Sequence, residues 1–372
     1  MRNRRRTTFA SAQDRNPTEE STVITEGLKG RDFITLRDFT KAEVETMLEV
    51  GLQLKADYAM RRPHDDILRG RTLFMMFFNP SLRTRNSFES GIFQLGGHGN
   101  FLVPEATRLP TLEGEDVPYQ SERISDVARV LSRMGDCIAI RILGDKVGWE
   151  YDKALRIIRE FAKWSDKPVI NMEDNIYHPC QGMADVMTLR ELYGRDLRGR
   201  KIGVSWTYSP SVKKPIAPHH DFMYAASYFG PDIVFAHPAE MRIDPDVEAA
   251  IKANVEANGG SYQVVDKMED AAAGADILYA KNYVCLDLLP PVTSEPQPDE
   301  MAKLFGKYRG WIADEKRMNM AKPDARYMHC LPCERGHEVA DAVLDGKWGI
   351  TAFDEAENRL HAQKGVMACI IP

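Results

Sequence analysis

From Asp32 onward, short β-branched and aromatic runs alternate with longer stretches in which apolar residues recur every three or four positions. A period of two switching repeatedly to a period of 3.6 marks βαβ units built around parallel sheets. Thr40 and Glu43 form a capping-box pair ahead of Val44, Met47, Leu48 and Gly51, which share one helical face. The pattern then predicts a strand from Thr72 to Phe78, a helix from near Ser81, a helix from Ser121 to Met134, and strands from Cys137 to Arg141 and Pro168 to Met172. Pro179 opens a further helix carrying Met183, Val186 and Leu189, and Gly194 stops it. After Leu197 to Arg200 the alternation restarts, with strands predicted at Lys201 to Trp206, Asp232 to Ala236, Asp276 to Ala280, Tyr327 to Leu331 and Ile350 to Phe353. A closing helix from Glu355 to Ile371 places Leu360, Gln363, Met367 and Ile370 on one face.

The expected fold class is therefore α/β, with two doubly wound parallel-sheet domains and a cleft between them. We divide the chain into a flexible tail over residues 1–30, a first domain over 31–185, a second over 186–350, and a C-terminal helix over 351–372 that packs back on the first domain. The 372 residues are ample for two hydrophobic cores.

Composition narrows the functional classes. A net charge of -6 gives no support to a nucleic-acid partner. The longest apolar run, Leu73 to Phe78, is too short to span a bilayer, so no membrane partner is expected. Six cysteines spread along a long chain read as free thiols in a reducing compartment, which makes the cytoplasm the expected location. Arg and Thr open the tail as in an organelle transit peptide, but Asp14, Glu19 and Glu20 argue against one.

Parallel sheets bind ligands beyond the carboxyl ends of their strands, where helix N-termini present unpaired N–H groups. Three polar elements of the first half fall at such ends. Asn79-Pro80-Ser81-Leu82-Arg83-Thr84-Arg85 is a strand-to-helix turn offering N–H groups, hydroxyls and a guanidinium to an anion. Arg141 ends a strand, and His178 lies just beyond another, ahead of the helix that carries Gln181. Singly, each reads as a solvated arginine or a helix cap; together, the topology brings them to one place. In the second half, His329-Cys330-Leu331-Pro332 ends a strand, and Arg359 follows Asp354-Glu355-Ala356-Glu357-Asn358, where the bland reading is a surface ion pair with Glu355. Cys330 and Cys333 form a single Cys-x-x-Cys pair without the further ligands a tetrahedral metal needs, so no metal is expected. No Gly-x-Gly-x-x-Gly or P-loop follows a strand, which removes the main support for a dinucleotide-dependent dehydrogenase, and no cofactor is expected.

These four motifs, in this order, resemble the transcarbamylases, and the resemblance runs from about residue 32 to the end. It implies that the first domain binds carbamoyl phosphate and the second the amino acid that accepts the carbamoyl group. Ser81, Leu82, Arg83, Thr84, Arg141, His178, Gln181, Cys330, Leu331 and Arg359 would hold carbamoyl phosphate, with Arg83, Thr84, Arg141 and His178 catalytic. The His-Cys-Leu-Pro loop is similar to that of the ornithine-type branch, in which Asn171, Glu173, Lys281, Cys330, Leu331 and Glu338 would meet the amine substrate. Trp206-Thr207-Tyr208-Ser209-Pro210, with Pro215 and Pro218, and Tyr279-Ala280-Lys281 resemble the knotted N-acetylornithine and N-succinylornithine subgroup, which implies a trefoil knot in the second domain. Homotrimers are implied too, with residues around Leu109 to Gln120 crossing the subunit boundary. Three departures leave the amine open: no Trp lies between Gly96 and Arg141, Glu338 stands where that subgroup carries a modified lysine, and the spacing from Asn171 to His178 is that of ornithine enzymes. The partners are small molecules, carbamoyl phosphate and an amino acid. The alternatives are carbamoylation of another diamine such as 2,3-diaminopropionate, or a non-catalytic binding protein of the same fold.

Overall fold

The computed structural model describes residues 27–103 and 107–372, together with the two-residue strands β1 (Thr7–Thr8) and β2 (Thr22–Val23). The remainder of the expected tail lies outside the described residues. Packing already begins at Leu28, inside the span assigned to the tail: Leu28 is in the core, Gly30 N–H donates to Ile370 O, and Lys29 Nζ donates to Ala368 O at 2.8 Å.

In chain order the first half comprises α1 (Lys41–Ala59), β3 (Thr72–Phe77), α2 (Leu82–Gln94), β4 (His98–Leu102), β5 (Leu109–Thr111), β6 (Ser121–Arg123), α3 (Ile124–Met134), β7 (Cys137–Arg141), α4 (Lys153–Trp164), β8 (Val169–Glu173) and α5 (Pro179–Tyr193). The second half comprises β9 (Lys201–Trp206), α6 (Ala217–Ser227), β10 (Asp232–Ala236), α7 (Pro245–Ala257), β11 (Ser261–Val265), α8 (Met268–Ala272), β12 (Ile277–Lys281), α9 (Pro298–Gly306), α10 (Glu315–Met318), β13 (Arg326–Met328), α11 (Asp341–Leu344) and α12 (Ile350–Ile370).

Two parallel sheets organise these elements. The first has the order β4-β3-β7-β8 and the second β11-β10-β9-β12-β13. In each sheet the chain winds outward in one direction and then returns to wind outward in the other. The strand order therefore reverses between β3 and β7 in one sheet and between β9 and β12 in the other. Helix N-termini diverge at such switch points and leave a crevice, the usual ligand position of doubly wound sheets.

Two sequence expectations are corrected. Ile350 to Phe353 is not a strand but the first turn of α12, with Ile350 and Phe353 exposed and Thr351 and Ala352 buried, a helical rather than an alternating pattern. The second sheet instead takes its fifth strand from β11, whose edge position and mostly exposed residues hid it from an apolar-run criterion. Helix α12 packs against α1, α2, α5 and β13. Gly51 and Gly365 permit the α1–α12 approach: a Cβ at Gly365 would lie 2.3 Å from Met47 O. Among the described residues no helix is long and apolar enough to cross a membrane.

Candidate active site

At the first switch point, β3 runs into α2 through Asn79 and Pro80. The Asn79 side chain accepts from Leu143 N at 3.0 Å and donates to Leu143 O at 3.1 Å, clamping the ends of β3 and β7 side by side. Ser81 caps α2, its hydroxyl accepting from Thr84 N at 3.2 Å. The positive end of the α2 dipole and its first N–H groups thus open into the crevice. Arg83 is half-buried and makes no hydrogen bond or ion pair among the described residues. Its guanidinium is uncommitted.

Arg141, at the end of β7, donates from Nε and Nη2 to Glu173 Oε2 at 3.0 and 2.6 Å and from Nη1 to Pro80 O at 3.1 Å. This pairing depends on a register shift: Ile140 pairs with Asn171 and Arg141 with Glu173, so Met172 is an extra residue. Such a bulge re-aims the strand end, here bringing Glu173 opposite Arg141.

His178 precedes α5, with its backbone N–H held by Asp221. Its Nε2 lies 3.6 Å from Glu173 Oε2, and its buried Nδ1 has no partner. Burial, reinforced by Arg359, Arg141, Arg83 and Lys281, drives the imidazole well below the usual histidine range. It is therefore neutral at pH 7, carrying one donor and one acceptor nitrogen. The ring resonances of His178 should stay unchanged in NMR titration between about pH 6 and 8; a midpoint near 6.5 would contradict the site's electrostatics.

From the second sheet, Lys281 ends β12 at the switch point, and the loop after β13 supplies Cys330, Leu331 and Pro332. Burial raises the Cys330 thiol, but hydrogen bonding with His329 and the charge of Lys281 outweigh it, and the net value lies below the ordinary thiol. Leu331 has φ +51, and its N–H donates to His329 Nδ1 at 2.8 Å. The histidine ring thus holds a left-handed turn that a leucine rarely adopts. Arg359, on α12, is not the surface partner of Glu355. It is buried, and it donates from Nη1 to Gln181 Oε1 and from Nη2 to Thr84 Oγ1, both at 2.7 Å. One guanidinium so joins α2, α5 and α12.

A cavity of about 340 Å³ is lined together by Ser81, Arg83, Thr84, Arg141, Glu173, His178, Gln181, Lys281, Cys330, Leu331 and Arg359. Three expected residues are placed elsewhere. Leu82 points outward, 73% exposed, into a neighbouring groove with Phe77, Arg85 and Phe101. Asn171 is sealed in the first sheet, where Nδ2 donates to Ile34 O at 3.0 Å and to Asp174 Oδ2 at 2.7 Å, fastening residues 33–34 to β8. Glu338 lies behind the wall: Oε1 accepts from Asn282 N at 2.8 Å and Oε2 from Lys214 Nζ and Glu334 N, both at 2.7 Å. Burial would raise Glu338, but His329, Lys281 and Lys214 outweigh it and hold it well below the usual carboxylate range. Replacing Glu338 by alanine leaves the Asn282 and Glu334 N–H groups without their acceptor and Lys214 with Glu334 alone, and urea unfolding should show a loss of about 2–4 kcal/mol. A loss under about 1 kcal/mol would mean the carboxylate is not structural.

The cavity also takes in Asn79, Pro80, Leu143, Lys213, Lys214, Pro215, Pro218, Pro332, Cys333 and Glu334, which motif reading did not assign. Asn79, Pro80, Pro332 and Cys333 lie within the motifs themselves and Pro215 and Pro218 in the proline-rich stretch after Trp206, whereas Leu143, Lys213, Lys214 and Glu334 carried no signal. Six lining cations, Arg83, Arg141, Lys213, Lys214, Lys281 and Arg359, face two lining carboxylates, Glu173 and Glu334. That surplus suits a multiply charged anion.

An anion cradle on one sheet and a lysine-bearing wall on the other thus meet in one cavity across paired switch points. Comparison with known proteins identifies the family. Residues 31–191 match the carbamoyl-P binding domain of aspartate/ornithine carbamoyltransferase, and residues 218–370 match its Asp/Orn binding domain. The chain is 36% identical over 352 residues to N-acetylornithine carbamoyltransferase of Xanthomonas campestris pv. campestris, covering 92% of this chain and 98% of that one. It is also 36% identical to ornithine carbamoyltransferase of Thermococcus kodakarensis, covering 92% and 97%. A solved structure of acetylornithine transcarbamylase complexed with acetylcitrulline superposes with a TM-score of 0.83 at 34% identity, over 92% of this chain and 99% of that one. The chain belongs to the aspartate/ornithine carbamoyltransferase family, in its ornithine-type branch.

Proposed function

We propose that the protein moves the carbamoyl group of carbamoyl phosphate to the side-chain amine of ornithine or an ornithine-like amino acid and releases phosphate. One observation carries this reading: the α2 cradle of Ser81, Arg83 and Thr84 shares a single cavity with Arg141, His178, Gln181 and Arg359. The phosphate sits on the α2 N-terminus beside Arg83. The carbamoyl carbonyl turns toward Thr84, Arg141 and neutral His178. An aliphatic amine has a pKa of about 10.4, so it must lose its proton to react, and the surrounding cations favour the neutral form. The amine lone pair forms the new C–N bond, and negative charge collects on the carbonyl oxygen. Preorganised donors stabilise that oxyanion, each well-aimed donor contributing about 3–4 kcal/mol. Collapse breaks the C–O bond to phosphate, which leaves on the cradle and takes up the amine proton. Neither redox change nor a covalent enzyme intermediate enters this sequence.

Within that substrate class, an N-acylated acceptor fits the charge pattern best. Both lining carboxylates are already engaged, Glu173 by Arg141 and Glu334 by Lys214 and Ser209, so a free α-ammonium finds no uncommitted acid; of the lining lysines, Lys213 is paired with Asp145 and Lys214 with Glu338, but Lys281 donates only to Asn282 O and is left for a substrate carboxylate. Lys281, Glu173, Cys330 and Leu331 would frame the amine. We assign the chain to the cytoplasm because its six cysteines are unpaired. Assembly as a homotrimer is supported by apolar side chains left exposed on the first half, Leu82, Phe93, Tyr119 and Met134. The motif from Trp206 to Pro210 supports the knotted crossing in the second domain.

Labelled carbamoyl phosphate offered with ornithine, N-acetylornithine, N-succinylornithine, 2,3-diaminopropionate, lysine, putrescine and aspartate tests the reading. Label should enter a ureido product with the N-acylated ornithines first. Faster transfer to free ornithine overturns the acylation argument, and no transfer to any amine overturns the function.

A further inference from the structure

Beneath the cleft, Gln181 and Asp185 of α5 meet Glu355 of α12 in a closed polar cluster. Gln181 Nε2 donates to Asp185 Oδ1 at 2.7 Å and to Glu355 Oε1 at 2.9 Å, while Gln181 Oε1 accepts from Arg359. Glu355 Oε2 accepts from His329 N at 2.9 Å. Both acids are fully buried, and Asp185 Oδ2 alone of their four oxygens has no partner.

Two carboxylates converging on one amide nitrogen repel strongly in a buried site unless a proton lies between them. The two carboxyl groups lie within hydrogen-bonding reach of each other, and Asp185 Oδ2 has no other partner to meet. The partners also fix the amide: a flipped Gln181 would set its oxygen against two carboxyl groups and its NH2 against Arg359.

We propose that Asp185 and Glu355 share one proton, and that this pair acts as a positioning device, locking the Gln181 amide with its oxygen toward the cleft so that the carbamoyl NH2 is read there. The oxygen's second lone pair remains available beside Arg359. Charged and titratable groups facing the pair are Arg359 on α12, Asp221 on α6, Tyr279 on β12, Tyr327 on β13, and His329 and Cys330 after β13. Burial pushes both acids up, Asp185 to about 7 and Glu355 well above the usual range, in keeping with a retained proton. The pair also reaches the backbone of His329, so the acid that orients Gln181 anchors the base of the Cys330 loop.

Two near-isosteric variants separate this device from mere packing. In Asp185→Asn, the new amide accepts from Gln181 and donates to an ionised Glu355, so every hydrogen bond survives without the shared proton. In Glu355→Gln, the new NH2 must face either His329 N–H or the Gln181 amide, and one contact is lost. The difference infrared spectrum, wild type minus variant at about pH 8, should show a protonated-carboxyl band missing from each variant, because ordinary carboxylates are ionised there. The KM for carbamoyl phosphate should rise about tenfold more in Glu355→Gln than in Asp185→Asn, with kcat less affected. A wild-type spectrum without an acid band overturns the shared proton, and needs neither variant to fold. Equal KM changes overturn the locking of Gln181. The kinetic comparison rests on the carbamoyl-transfer reading, whereas the infrared one does not, so the two can fail separately.

Discussion

Replacing Arg83 with alanine is expected to lower kcat/KM for carbamoyl transfer by about a thousandfold while leaving the unfolding midpoint within experimental error. The magnitude follows from what the guanidinium faces. A donor aimed at charge that develops in the transition state is worth about 10²- to 10³-fold, and a cation facing the leaving phosphate in a water-poor site lies at the upper end of that range. The separation of activity from stability follows from the ligand-free geometry. Arg83 has no bond or ion pair to lose among the described residues, and it sits among Arg141 and Arg359, whose repulsion its removal relieves. Stopped-flow or steady-state carbamoylation beside urea denaturation checks both halves. Activity within about tenfold of the wild type would place the phosphate elsewhere.

Arg359→Met should behave differently. Here kcat/KM is expected to fall at least about a hundredfold, and stability should fall as well, by about 2 kcal/mol, as hydrogen bonds from a buried cation are lost. Arg359 holds Gln181 Oε1 and Thr84 Oγ1, so without it two buried acceptors on α5 and α2 lose their donor. The hydroxyl and amide that face the carbamoyl group then lose their common brace. Thermal unfolding and kinetics of one preparation decide the matter: an inactive variant of unchanged stability would mean that Arg359 bonds only with ligand present.

How far the chain announced this site depended on the element that carried each residue. Arg141 ends a buried apolar strand, and Ser81, Arg83 and His178 lie in the turns that follow two others, where period and turn residues mark the strand's end and the parallel-sheet rule then fixes where the side chains go. Gln181 and Arg359 were reachable as motif members, but the direct bond between them joins residues 178 apart and has no local signal. Asn171 was expected at the substrate only through the resemblance and its spacing to His178, and nothing local in the sequence signals that the bulge at Met172 and the segment at residues 33–34 close over it. Glu338 lies in an irregular loop whose path no periodicity records. Strand β4 went unread because its single glycine, Gly99, and its polar residues at an edge position do not alternate with apolar ones, and Ile350 to Phe353 read as a strand because its β-branched and aromatic residues outweighed the start of a helix.

The account's central claim is that the α2 cradle and the Arg141, His178, Gln181 and Arg359 groups bind one molecule of carbamoyl phosphate together. Isothermal titration with a non-hydrolysable phosphonate analogue of carbamoyl phosphate tests it most directly. The account predicts one site per chain, weakened in Arg83→Ala and in Arg359→Met alike and competed by inorganic phosphate. A wild-type titration with no heat, or binding untouched by both substitutions, would contradict it.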